Sequence, residues 1–273
     1  MFQFPSCPES LNFPRLHIIF AVKIVLYLVL VQQLMLKGQS AEQNRWFNGS
    51  IHATNNGISL IPTFMLGKPA SIFYLSVGSA KFRFEPEMRF SLKGQPWSFI
   101  FWWRYQLLER DRFKLSLGAH PSLAFRATTA DLNGRPTEVL YPTRFFAGEL
   151  VPTWKILDHV SVGMYYLYSR GLDSYANRNT HFLTVNTHFS KIKLSGGYYL
   201  NWKPQLYYLK IDQKDGVFFV SNLTLAKEKA PFSIYAIVNK RLRSTIVSSR
   251  DFVWNLSCAY SFQNHYLKKG RNR

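Results

Sequence analysis

From Lys81 to Lys93 the chain alternates without a break. Phe82, Phe84, Pro86, Met88, Phe90 and Leu92 take the even positions, and Lys81, Arg83, Glu85, Glu87, Arg89, Ser91 and Lys93 the odd ones. Side chains along an extended strand point to opposite faces in turn, so this segment has one apolar face and one almost wholly charged face. A helix would spread both sets around its circumference. The period recurs downstream. Trp97, Phe99, Phe101, Trp103, Tyr105 and Leu107 share a face, as do Phe113, Leu115, Leu117, Ala119, Pro121, Leu123 and Phe125 opposite Arg112, Lys114, His120 and Arg126. Val160, Val162, Met164, Tyr166 and Tyr168 repeat it, then Ile192, Leu194, Tyr198, Leu200 and Trp202. It is cleanest in Phe252, Trp254, Leu256, Cys258, Tyr260 and Phe262.

This pattern predicts twelve strands at 58–66, 70–78, 81–93, 97–108, 112–126, 138–154, 158–169, 180–190, 191–211, 216–227, 231–241 and 252–262. Many exceed the five or six residues usual in soluble sheets, and membrane strands need about 9–11. If the chain starts in the periplasm, tight turns fall at 79–80, 109–111, 155–157, near 190–191 and at 228–230. Longer connections of the other set lie at 127–137, 170–179 and 242–251. That asymmetry and the even strand number match outer-membrane barrels. The fold expected is all-β, a transmembrane antiparallel β-barrel of about twelve strands. A soluble sandwich or lipocalin-like barrel would also alternate, hiding its apolar face inside. No later stretch offers the run of about 18 apolar residues a membrane helix requires.

The N-terminus carries an address. Residues 16–36 read LHIIFAVKIVLYLVLVQQLML, preceded by Arg15 and followed by Gly38-Gln39-Ser40. Basic flank, apolar stretch and small residues predict a secretory signal over 1–41; the alternative is an uncleaved membrane anchor, against which Lys23, Gln32 and Gln33 interrupt the span. The expected organisation is that signal, a periplasmic lead-in over 42–57, the barrel over 58–262 and a basic tail over 263–273. Removing 1–41 takes away Arg15, Lys23, Lys37 and Glu9, so 31 basic and 14 acidic residues remain, with Cys258 the one cysteine. An intramolecular disulfide is thereby excluded from the exported chain.

The closing stretch FVWNLSCAYSF, ending in Phe262, resembles the C-terminal aromatic strand by which bacterial outer-membrane proteins are recognised for insertion. With the signal and the alternating body, the chain resembles outer-membrane β-barrels, porin-like in outline, of Gram-negative bacteria such as the Bacteroidota. Here Gln263–Arg273 follows the aromatic residue that usually ends such chains. The resemblance implies an outer-membrane location, the barrel-assembly machinery as a partner, and outer-membrane lipid and lipopolysaccharide as surroundings. It carries no catalytic residues.

The whole chain has 34 Lys+Arg against 15 Asp+Glu. A charge this basic usually points to nucleic acid, but an exported barrel does not meet it and no recognition motif appears. The inward faces are expected to line the lumen with Arg83, Glu85, Glu87, Arg89, Arg104, Lys114, His120 and Arg126. A wet lumen so lined would favour small anionic solutes. Alternatively, Arg83, Glu85, Glu87 and Arg89 form a paired network that fills a narrow barrel. Asn186, His188 and Ser190 share a strand face and suggest a hydrolase, though like-parity neighbours sit about 6–7 Å apart and a Ser–His hydrogen bond needs about 3 Å. His120, His159 and His181 read as lumen or rim residues. Trp97, Trp102, Trp103, Trp154, Trp202 and Trp254 read as interfacial girdle residues, with sugar stacking an option for Trp102. No motif calls for a metal or cofactor. The readings, in order, are a passive channel for small anionic solutes, a non-conducting barrel that binds through its external loops, and a barrel hydrolase.

Overall fold

In the computed structural model the described residues are 45–132, 135–247 and 249–266. The signal expected over 1–41 and residues 267–273 of the tail lie outside them. Twelve strands follow one another: β1 (Arg45–Thr54), β2 (Ala70–Gly78), β3 (Phe82–Ser91), β4 (Pro96–Glu109), β5 (Phe113–Leu132), β6 (Arg135–Leu157), β7 (Val160–Gly171), β8 (Asn179–Lys193), β9 (Tyr198–Ile211), β10 (Lys214–Lys227), β11 (Phe232–Ser244) and β12 (Phe252–Tyr266). Each is antiparallel to the next, and β12 pairs back onto β1 to close the barrel. Closure leaves no edge, the one arrangement of strands that satisfies every backbone N–H and C=O in lipid.

The two faces settle between a membrane barrel and a soluble one. Trp254, Leu206 and Val185 point outward and are 52%, 50% and 49% exposed, with Leu107, Phe146, Met164, Leu183 and Phe219 on the same surface. Buried on the inside are Glu87, His120, Glu149, Thr184, Gln205 and Asn255. A soluble barrel would carry the reverse arrangement; a continuous apolar exterior is the exterior of an outer-membrane-type barrel.

The first strand is not the one expected. Residues 58–66 form no strand, and β1 lies at Arg45–Thr54, inside the segment read as a periplasmic lead-in. The reason is physical: Ile58, Leu60, Phe64 and Leu66 do alternate, but they spend their apolar side chains inside the barrel. Pro62 opens a 3-10 turn, Pro62–Phe64, at its first position, where its missing N–H costs nothing. Residues 55–69 thus fold back into the lumen as an inserted loop.

The last strand also differs, running past Phe262 to Tyr266 with Gln263 opposite Asn48. The first four residues of the expected tail are therefore barrel wall. At this closing seam Gly49 faces Phe262, and a Cβ on Gly49 would lie 2.5 Å from the ring. The ring covers the backbone that glycine leaves bare, packing that pins register at a glycine.

Connections at the end where β1 begins are short, at 79–81, 110–112, 158–159, 194–197 and 228–231. The opposite, loop end carries 55–69, 172–178 and 245–251. The loop expected at 127–137 is largely paired strand, since β5 and β6 stay in register from Arg126↔Tyr141 to Leu132↔Arg135. The expected 191–211 strand divides at Ser195–Gly197, where Gly196 and Gly197 take positive φ, 67° and 75°. Asp173 straps loop 172–178 to β6 by accepting from Arg144 Nε at 3.0 Å and Nη2 at 2.5 Å. Those hydrogen bonds hold the Asp173 carboxyl below its ordinary range.

The seam can be tested covalently. Ser50 and Ser261 oppose each other across β1 and β12. In a Cys258→Ser background, Ser50→Cys with Ser261→Cys is expected to form a disulfide on mild oxidation, read as a redox-dependent gel shift. A barrel whose first strand is 58–66 would leave the two thiols unlinked.

Candidate functional site

The lumen is where the chemistry-bearing side chains converge. Register places Arg83 of β3 directly opposite Arg104 of β4, a repulsive pairing by itself. Glu85 resolves it, standing 3.3 Å from Arg83 Nε and 2.5 Å from Arg104 Nη1. Arg104 then reaches across β5 to Glu149 on β6, with Nε to Oε1 at 2.6 Å and Nη2 to Oε2 at 3.3 Å. The residue crossed is Gly118, in register with both Arg104 and Glu149. A Cβ there would lie 2.6 Å from Glu149 Oε1, so only glycine leaves the carboxylate its place. Glu149 is 1% exposed at its side chain, and a carboxylate that enclosed requires a paired cation.

A second ion pair, Arg89 with Glu87, lies nearer the loop end on β3. Arg89 stacks over Trp97, 5.0 Å from the ring centre. Close by, the His52 ring meets Tyr74 and Tyr235 edge-on at 5.0 and 5.9 Å. The facing wall, from β8, β9 and β10, is different. It presents Asn186, His188, Asn201, Lys203, Gln205, Asn222 and Thr224 to a cavity of about 680 Å³ that all twelve strands line.

Above this chamber, toward the loop end, the interior turns apolar. Leu167, Phe182, Tyr207, Leu209, Phe218 and Val220 form a collar into which Leu60 and Ile61 of the inserted loop and Ile246 of loop 245–251 pack. Side chains from three strands hold the loop by its carbonyls: Trp97 Nε1 donates to Phe64 at 2.8 Å, Tyr207 to Leu60 at 3.1 Å and Arg126 Nη2 to Thr63 at 2.8 Å. The hydroxyl of Tyr207 accepts in turn from Asn239 Nδ2 at 2.9 Å.

Of the residues singled out in the sequence, Arg83, Glu85, Glu87, Arg89 and Arg104 come together as the paired wall just described. His120 is buried against Trp102 with ring centres 4.0 Å apart. Lys114 stands at the turn-end rim, 2.5 Å from Glu109, with both side chains half exposed. Arg126 stands at the loop end on the inserted loop. Trp97 is not a girdle residue. A bulge between Arg89 and Phe90 shifts the register there, and Trp97 turns in to pack on the loop. Trp102 is also inside, 4.3 Å beneath the Arg104 guanidinium, while Trp154, Trp202 and Trp254 lie exposed outside. His181 meets Tyr166 on the outer surface, Nδ1 to hydroxyl 2.9 Å. The Ser190 hydroxyl donates to the His159 carbonyl at 3.4 Å, so β8 assembles no Ser–His relay.

Glu149 and Lys203 went unread because their strands alternate poorly in sequence. Their inward parity was the available signal: Glu149 follows Phe145 and Ala147, and Lys203 lies between Asn201 and Gln205. Among the described residues no cluster of three His, Cys, Asp or Glu is placed to hold a metal.

The network makes a stability prediction. Arg104→Met leaves Glu149 buried without its cation and is expected to cost about 3 kcal/mol in urea unfolding of the barrel in lipid vesicles. Gly118→Ala should destabilise through the same carboxylate, and far less when combined with Glu149→Ala. Additive losses, or a loss below about 1 kcal/mol as for an exposed pair, would contradict the bridge.

No protein-family model matches the chain, and no curated protein matches it. Among solved structures it is similar to the KdgM porin, with TM-score 0.47 and 14% identity over 80% of this chain and 99% of that one. The NanC porin aligns with TM-score 0.44 and 13% identity over 82% of this chain and 100% of that one. The β domain of the Bordetella autotransporter BrkA aligns with TM-score 0.41 and 11% identity over 81% and 99%.

Proposed function

We propose that this chain is an outer-membrane channel of narrow bore that passes small anionic solutes. The observation that carries the reading is the chamber: a cavity of about 680 Å³, lined by all twelve strands, into which β8, β9 and β10 present a row of amide, His, Thr and Lys side chains. A barrel evolved only as a scaffold has no need to leave that space open, and side chains fill small barrels readily.

The bias toward anions is small. In the middle of the lumen Arg83, Arg89, Arg104 and Lys203 stand against Glu85, Glu87 and Glu149, a surplus of one positive charge. The lumen is therefore not a simple basic tube, and the paired arginines act through the field they leave in a low-dielectric wall. The apolar collar, packed by Leu60 and Ile61 of the inserted loop and by Ile246, is the constriction. A hydrophobic constriction passes ions only while it stays wet, so conductance is low and intermittent.

On this reading the loop end faces outward and the apolar exterior sits in outer-membrane lipid beside lipopolysaccharide. Export follows from the N-terminal signal, and insertion by the barrel-assembly machinery follows from β12. A second reading, a non-conducting barrel that binds through loops 172–178 and 245–251, draws its support from the same collar.

Planar-bilayer recording under a salt gradient separates the two. Small discrete steps with an anion-selective reversal potential are expected, and Leu60→Ser with Ile61→Ser should enlarge them by wetting the collar. Arg104→Gln should shift the reversal potential toward cations, because Glu149 loses its cation and Glu85 keeps only Arg83. A folded, heat-modifiable barrel that stays silent even with the two serines would leave the loop-binding reading.

A further inference from the structure

We infer that the β9–β10 wall of the chamber holds an oxyanion-binding subsite centred on Lys203, which takes the carboxylate or phosphate group of a small solute. This deepens the channel reading and rests on it for its physiological meaning, but the site itself is argued from its own residues.

Lys203 differs from the inward arginines. Arg83, Arg89 and Arg104 are each committed to a carboxylate. Lys203 has no carboxylate or hydrogen-bond acceptor on its ammonium among the described residues, although it lines the same cavity. A half-enclosed cation without a partner is costly unless an anion arrives from solution.

Its neighbours are set to help. Asn201 and Gln205 flank Lys203 on the inward face of β9, and Asn222 sits directly across on β10. All three amides have their oxygens occupied. Asn201 Oδ1 accepts from the Lys191 backbone N–H at 2.8 Å, Asn222 Oδ1 from the Tyr235 hydroxyl at 2.8 Å, and Gln205 Oε1 from Thr184 Oγ1 at 3.5 Å. Each keeps its NH₂ group, a donor only, to offer the chamber. His188 on β8 lies within electrostatic reach of Lys203. Three amide NH₂ groups beside one ammonium without a carboxylate make a donor-rich surface, complementary to an oxyanion. The opposite wall cannot compete, because its guanidinium groups are already taken.

The test uses protein purified in detergent after expression of the full-length chain. Inorganic phosphate is titrated in and followed by ³¹P line width, with bilayer recordings on the same preparation. Wild type is expected to broaden the phosphate signal saturably. Lys203→Met should weaken binding by about tenfold or more, the scale of one charge-assisted hydrogen bond, while Lys203→Arg retains it. Asn222→Leu should weaken it too. Lys155→Met, which removes a cation at the rim, should leave the titration unchanged, and heat-modifiable gel mobility shows that each variant is folded. Phosphate binding as tight in Lys203→Met as in wild type, or a flat wild-type titration, overturns the site. Lys203-dependent binding in a barrel that passes no current keeps this site and removes the channel. An anion-selective current with a flat phosphate titration keeps the channel and removes the site.

Discussion

A backbone in lipid must satisfy every N–H and C=O within itself, and the β1–β12 pairing is where this chain meets that demand. Once the sheet closes, the two faces of each strand acquire opposite fates. Outward side chains face hydrocarbon and become Trp, Leu, Phe and Tyr. Inward side chains face a space too narrow to be bulk water and too polar to be left unpaired. The carboxylate of Glu85 between two cross-strand arginines and the reach of Arg104 over Gly118 to Glu149 are consequences of that geometry. Their energy comes less from attraction gained than from isolation avoided, since a lone buried charge costs more than a pair returns.

Lumen function then divides by height. The turn-end half is wet and charged, and its two walls have different chemistry: guanidinium–carboxylate pairs on β3, β4 and β6, amides and one lysine on β9 and β10. The loop-end half is apolar, narrowed by a loop that enters the barrel and is held through its own carbonyls by Trp97, Tyr207 and Arg126. Pinning by backbone acceptors fixes the loop's position whatever its side chains, leaving Leu60 and Ile61 free to set how hydrophobic the constriction is.

Strand number, alternation and inward parity were legible because the two solvents of a membrane barrel differ so sharply that period two survives in the sequence. The errors occur where an apolar residue has somewhere other than lipid to go. Ile58, Leu60 and Phe64 alternate like a strand, yet they pack inside, while in the true β1 the apolar face of Phe47, Gly49, Ile51 and Ala53 is half glycine and alanine, a weaker signal although it alternates with Asn48, Ser50, His52 and Thr54. Trp97 shares parity with Phe99, but a single bulge turned it inward, an event parity cannot foresee. Glu149 and Lys203 were missed for a related reason, since their strands carry proline and their alternation is diluted. Pairing of charges is a property of register across three strands, and only the closed sheet reveals it.

The claim on which the rest depends is that one barrel holds a wet chamber beneath a dry collar. Single cysteines in a Cys258→Ser background, probed in proteoliposomes with a charged, membrane-impermeant thiol reagent, address it directly. Thr224→Cys in the chamber should react, and Leu209→Cys in the collar, fully buried in the folded barrel, should be protected while Asn177→Cys on loop 172–178 labels at once. Labelling of Leu209→Cys as fast as Asn177→Cys, or no labelling of Thr224→Cys from either side, would contradict the account.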